Sequence, residues 1–197
     1  MFSKFEQLPI NRRAWQKYNV AIGLRDMTLK SKKAVAYHEA GHGVAACLTH
    51  KRFKIISIVP DEEAFGECIT TPWKNFHPDY ETDSRTILRT KTAIFISLAG
   101  PVAECEITKT KKLSKSFDDF KIALEMACYL CGSTEEAEAY LRFMWEQTKN
   151  IVTLDHNWKA IEAVANALLE EKALKYHKTL CLIQKASDGM IPPIDLL

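Results

Sequence analysis

The stretch "AVAYHEAGHGVAACL", residues 34–48, sets two histidines four residues apart with a glutamate beside the first, in a run otherwise made of alanine, valine and glycine. Ser31 is placed to cap a helix running from about Lys32 to Thr49. A helix this apolar on most sides belongs inside a protein. On it, His38 and His42 stack on one face and can direct both imidazoles at one metal ion. Glu39 is turned by about 100° from His38, which sets its carboxylate beside such a metal rather than on it, where it can hold a water. Zinc lowers the pKa of bound water to about 7, and a carboxylate that takes the proton can pass it to a leaving amine. These three residues therefore carry the chemistry of peptide hydrolysis. Chance produces such a pattern in roughly one chain in a hundred of this size. Three polar groups on an apolar helix would be costly to bury without partners, so the zinc reading is preferred.

Gly41 and Gly43 each cost about 1 kcal/mol against alanine in a helix, and their presence implies close approach of a neighbouring backbone. The extended metzincin pattern needs glycine at 45 and histidine at 48; Ala45 and Leu48 exclude it. The third ligand must come from elsewhere.

Working outward, KIISIVP (54–60) and ECITT (67–71) are candidate strands of a small antiparallel hairpin. Beyond the aromatic loop TPWKNFHPDY, Thr82 or Asp83 can cap a helix to about Ala99. Gly100 and Pro101 are expected to break it, leaving a short helical turn from Val102 to Ile107. The lysine-rich TKTKKLSKS reads as a solvated loop, and helix resumes after Ser116. Between Gly132 and Gly189 there is neither glycine nor proline, and apolar residues recur at helical spacing, which predicts a helical bundle or hairpin. The fold class is mainly α with one small antiparallel hairpin or sheet. Residues 1–30 read as a loosely ordered arm with a short helix around Asn11 to Val20, residues 31–187 as one domain, and 188–197 as a tail.

A net charge of +2 in 197 residues gives no strong global field, and nothing points to nucleic acid. Six scattered cysteines lack the density of a disulfide scaffold, and the N-terminal sequence lacks a signal-peptide core. Both suggest a cytoplasmic protein with reduced thiols. The apolar run Ala93 to Ala103 falls far short of the roughly 20 residues a spanning helix needs. Cys128 and Cys131 form C-x-x-C inside an expected helix with no second pair, and His50, His77, His156 and His177 lack partner spacing; none is assigned a role.

Three further stretches, SLAGPVAE (97–104), DDFKIALEMA (118–127) and TLDHNWKAIEAVANALLEEKAL (153–174), follow the opening one in an order that resembles the protease domain of the FtsH family of AAA-linked zinc metalloproteases. The resemblance covers roughly residues 30–185. It implies one zinc per chain on His38 and His42, Glu39 as acid/base, and Asp119 as third ligand. From the residues alone Asp119 also reads as part of a capping box with Ser116, although helical spacing turns it inward more than Asp118. Glu104 can either orient a ligand imidazole or lie on a helix surface. Two departures stand out: no glycine begins a Walker A loop, and Pro101 occupies a position where the family commonly has arginine. The expected function is a zinc metalloendopeptidase acting on unfolded or flexible polypeptides, with the Ile55 to Pro60 strand pairing with substrate. The alternatives are a catalytically silent binding module with a structural zinc, or a protease subunit working with a separate ATPase; the partners expected are a polypeptide substrate and either a homo-oligomer or that ATPase.

Overall fold

The structure, a computed structural model, describes residues 32–59, 66–109 and 117–187. The arm helix near residues 11–20, the caps at Ser31 and Ser116, most of the lysine-rich loop and the C-terminal tail lie outside these residues. Among the described residues there are six helices and three strands: α1 (Lys32–Leu48), β1 (Phe53–Ser57), β2 (Glu67–Thr70), α2 (Ser84–Thr108), α3 (Phe117–Cys128), α4 (Thr134–Val152), α5 (Asp155–Glu171), β3 (Ala173–Lys175) and α6 (Tyr176–Ala186). The mainly α class with a small antiparallel sheet is confirmed.

Helix α1 is the centre of the molecule. Every residue from Ala34 to Leu48 is buried, because α2, α5, α6 and the sheet pack around it. Its small residues let neighbours approach closely. A Cβ on Gly41 would lie 2.5 Å from the carbonyl oxygen of Ala99 and 2.9 Å from the Ala103 side chain, so this glycine sets the α1–α2 separation. The helix then ends without glycine. His50 adopts a left-handed φ of 54°, its N–H donates to Cys47 O at 3.1 Å, and Lys51 N–H donates to Ala46 O at 2.8 Å. This pair of bonds is a Schellman motif, whose final position usually carries an apolar contact. Here that position is Lys51, only 5% exposed, with its ammonium 3.4 Å from the centroid of the Trp73 ring.

The expected hairpin forms: β1 and β2 pair antiparallel with Ile56 opposite Cys68, and an irregularity in register falls between Phe53 and Ile55. A third strand was not foreseen. β3 pairs antiparallel with the other edge of β1, Leu174 opposite Ile56, giving the order β2-β1-β3. The strand expected to receive substrate is thus the central one, with both edges occupied, and cannot add a further strand.

The second correction concerns α2. Asp83 caps it, accepting from the N–H groups of Arg85 and Thr86, but Gly100 and Pro101 do not break it; the helix runs through both for 25 residues. Proline removes one backbone bond and crowds the carbonyl four residues earlier, at a cost of about 3 kcal/mol. The segment Ile94 to Glu104 is buried throughout, and its packing against α1 carries the helix across the defect. Helix α3 ends at Cys128, so Cys131 falls in the following turn rather than in the helix. Ser133 and Glu136 then open α4 with a reciprocal pair: Ser133 Oγ accepts from Glu136 N–H and Glu136 Oε2 accepts from Gly132 N–H. All six cysteines are free thiols, and among the described residues no helix is long and apolar enough to cross a membrane.

Two outcomes are expected of the fold. Gly41→Ala should destabilise the chain by about 1–3 kcal/mol in urea unfolding, because backbone on α2 must shift to admit the methyl. Burial, aided by the nearby Arg89 charge, lowers the Lys51 pKa from 10.5 to about 8. Between these values the unfolded chain holds a proton that the folded chain has released. The stability of wild type relative to Lys51→Met should therefore rise from pH 8 to pH 10.5 and stay flat below pH 8; urea midpoints across this window provide the check.

Candidate metal centre

His38 and His42 lie one turn apart on α1, their rings edge to face with centroids 4.8 Å apart. Both are buried, and α2 supplies what each needs. His42 Nδ1 donates to the Ile96 carbonyl at 2.7 Å, and His38 Nδ1 donates to Glu104 Oε2 at 3.0 Å. Ile96, Gly100 and Glu104 are spaced four apart, so they share one face of α2 and run alongside the two histidines. Gly100 sits between the two acceptors, and a Cβ there would collide with Nε2 of His42. The continuity of α2 through Pro101 is what turns Glu104 towards His38. Of its two open readings, the helix-surface one falls, since Glu104 is 2% exposed.

These bonds fix the proton of each ring on Nδ1 and leave the lone pair on Nε2. The two Nε2 atoms are 3.1 Å apart. Asp119, brought in by the first turn of α3, lies with Oδ2 3.1 Å from His38 Nε2 and Oδ1 3.2 Å from His42 Nε2. Asp119 turns into the site, while its capping box with Ser116 lies outside the described residues. Burial by itself pushes its carboxyl upward, and only positive charge, on the two imidazoles or on a cation held between them, holds it well below the usual carboxylate range. Two lone pairs and an ionised carboxylate oxygen converging at about 3 Å repel one another unless a cation stands among them. Two imidazole nitrogens with one carboxylate are a donor set suited to zinc, leaving a position open. The residues present thus fit a metal, and His38, His42 and Asp119 are the ones that could hold it.

Glu39 is buried next to this set, against the start of β2, where a Cβ on Gly66 would stand 2.8 Å from Glu39 Oε1. His38, Glu39, His42 and Asp119 all face one cleft of about 340 Å³, whose other walls include Lys51, Cys68, Thr70 and Trp73. Burial and the neighbouring Glu39 carboxylate raise the Cys68 thiol well above its ordinary pKa, so it stays protonated. Several of these residues escape sequence reasoning. Gly66 and Gly100 look like a turn and a helix break until their neighbours are known. Cys68 and Lys51 reach the cleft only through strand pairing and the Schellman turn. The spacing of Ile96, Gly100 and Glu104 was a usable signal, obscured by reading Pro101 as a terminus.

Comparison with known proteins agrees with this geometry. Residues 25–131, more than half of the chain, match the model of peptidase family M41. An ATP-dependent zinc metalloprotease FtsH of Chloroflexus aggregans is 36% identical over 83 residues, which are 41% of this chain and 12% of that protein. Another, from Ruminiclostridium cellulolyticum, is 34% identical over 105 residues, 52% of this chain and 16% of that protein. The chain thus matches only a small part of either relative's length. With the family's span enclosing both histidines and Asp119, this chain belongs to peptidase family M41, a zinc-peptidase family, and carries a His/His/Asp set suited to a metal ion.

Proposed function

We propose that this protein is a zinc-dependent metalloendopeptidase acting on unfolded or flexible polypeptides. The convergence of His38 Nε2, His42 Nε2 and Asp119 on one point, with Glu39 on the same cleft, is the observation that carries the reading. Zinc bound by these three residues would supply Lewis acidity, bringing water near a pKa of about 7 and polarising a peptide carbonyl.

The chain's own residues do the rest. Glu39 takes the proton from the attacking water and returns it to the departing amine, and its burial away from bulk solvent keeps that proton in the site. Glu104, through His38 Nδ1, fixes the ring's tautomer and makes Nε2 a better donor to the metal; Ile96 O does the same for His42. Substrate access follows the sheet order. Among the described residues β2 is an edge strand, and Gly66, Glu67, Cys68 and Thr70 line the cleft, so an extended polypeptide pairing with β2 would run past Glu39. Pairing of this kind selects segments free to become extended, hence the preference for unfolded or flexible chains. Whether a separate ATPase delivers them is decided by the same assay run with and without such a partner.

Elemental analysis should find one zinc per chain in wild type and in Glu39→Gln, and much less in Asp119→Asn. Glu39→Gln should lose about 10²–10⁴-fold of the cleavage rate of an unfolded protein. Glu104→Gln should keep the fold and weaken zinc binding about 10–100-fold. Equal cleavage by wild type and Glu39→Gln would instead leave a binding module with a structural metal.

A further inference from the structure

The cleft contains a charge that the chemistry above does not use. Lys51 is held at the end of α1 by its own backbone bond to Ala46, and its side chain is directed into the cleft rather than to solvent. The ammonium stands over the face of Trp73 at 3.4 Å from the ring centroid. Among the described residues no carboxylate lies within ion-pair distance of it and no oxygen accepts from it, although Glu39, Glu67, Asp118 and Asp119 share the cleft wall. A buried cation normally has a paired anion, because desolvation costs more than an aromatic face returns.

The surroundings hold the ammonium in place. Trp73 packs edge to face on Phe76, and Arg89 of α2 donates to the carbonyls of Lys74 and Asn75, pinning the loop that carries the indole. The Arg89 guanidinium, held to those carbonyls through Nη1, adds positive field but is not among the residues that line the cleft. Lys51 therefore presents fixed, unspent N–H donors to whatever enters the cleft.

We propose that Lys51, backed by Trp73, is a specificity determinant that binds a carboxylate of the polypeptide in the cleft. Resting on the reading of this cleft as a peptide site, the proposal adds a preference: the carboxylate is either an Asp or Glu side chain or the free carboxyl terminus. Lysine suits both, as a compact donor that needs no bidentate partner. A structural lysine, serving only to close the turn through its stem, would give no such preference.

The test uses zinc-loaded Glu39→Gln full-length protein and fluorescent peptides, with binding read by anisotropy. One arm places a single Glu at each position of a neutral, end-blocked peptide, each with its Gln twin; another compares a free carboxyl terminus with its amide. We expect one Glu position, or the free terminus, to bind at least about tenfold more tightly than its neutral twin. Adding Lys51→Met should bring that ratio to within about twofold of unity, and Lys51→Arg should retain most of it. The arm that responds identifies which carboxylate is taken. A ratio near unity in every pair, a ratio unmoved by Lys51→Met, or no binding of any peptide overturns the proposal. The Glu-to-Gln ratio is decisive even if the Lys51→Met chain fails to fold. Absence of cleavage by wild type would sink the peptidase reading alone, because the binding ratio needs no turnover.

Discussion

The structure depends on one contact, the face of α1 that carries His38, Gly41 and His42 laid against the face of α2 that carries Ile96, Ala99, Gly100 and Glu104. Burying two imidazoles requires an acceptor for each Nδ1–H. A buried helix has few to offer, since its carbonyls are spent on its own ladder. α2 provides one carbonyl and one carboxylate two turns apart, matched to histidines one turn apart. The match is possible only because glycine stands on both sides of the interface: a methyl at 41 meets backbone and a methyl at 100 meets the imidazole. The same contact is therefore the core of the fold and the scaffold of the site, and loosening it would disturb both.

Pro101 shows how that contact overrides local preference. By its sequence it should end a helix, and its missing N–H leaves the Ser97 carbonyl without its usual helical donor. Yet a break there would swing Glu104 away from His38 and strand a buried imidazole N–H. The cost of one helical bond is of the order of 3 kcal/mol, and the apolar burial of Ile94 to Glu104 along α1 is extensive enough to offset it.

What could be read from the sequence follows the same division. Local periodicity identified α1, the β1–β2 hairpin and the helical C-terminal third, because each is written in residues three, four or two apart, while the cap of α2 was narrowed to Thr82 or Asp83 and proves to be Asp83. The i, i+4 histidines and the neighbouring glutamate were legible for the same reason, and Asp119 was reached through a resemblance that spacing supported. The failures occur where a distant partner decides. The helix ends at His50 and Lys172 use left-handed backbone on non-glycine residues, so no glycine marks where either helix stops. β3 is three residues long with no β-branched residue, and exists because β1 offers an open edge to which Leu174 can pair.

That third strand has a functional consequence. With β3 and β2 on its two edges, β1 is sealed as the middle of the sheet, and Ile56 is fully buried between α1 and its neighbours. Of the two strands left at the edges, β2 and β3, it is β2 whose residues form the wall beside Glu39, so an extended chain that pairs there lies along the cleft. Approach from that side also passes the turn that follows α1, where Lys51 waits over Trp73. Sealing β1 thus does for the sheet what the Nδ1 bonds do for the histidines. It leaves β2 as the edge strand that borders the cleft, beside both the Glu39 carboxylate and the Lys51 ammonium.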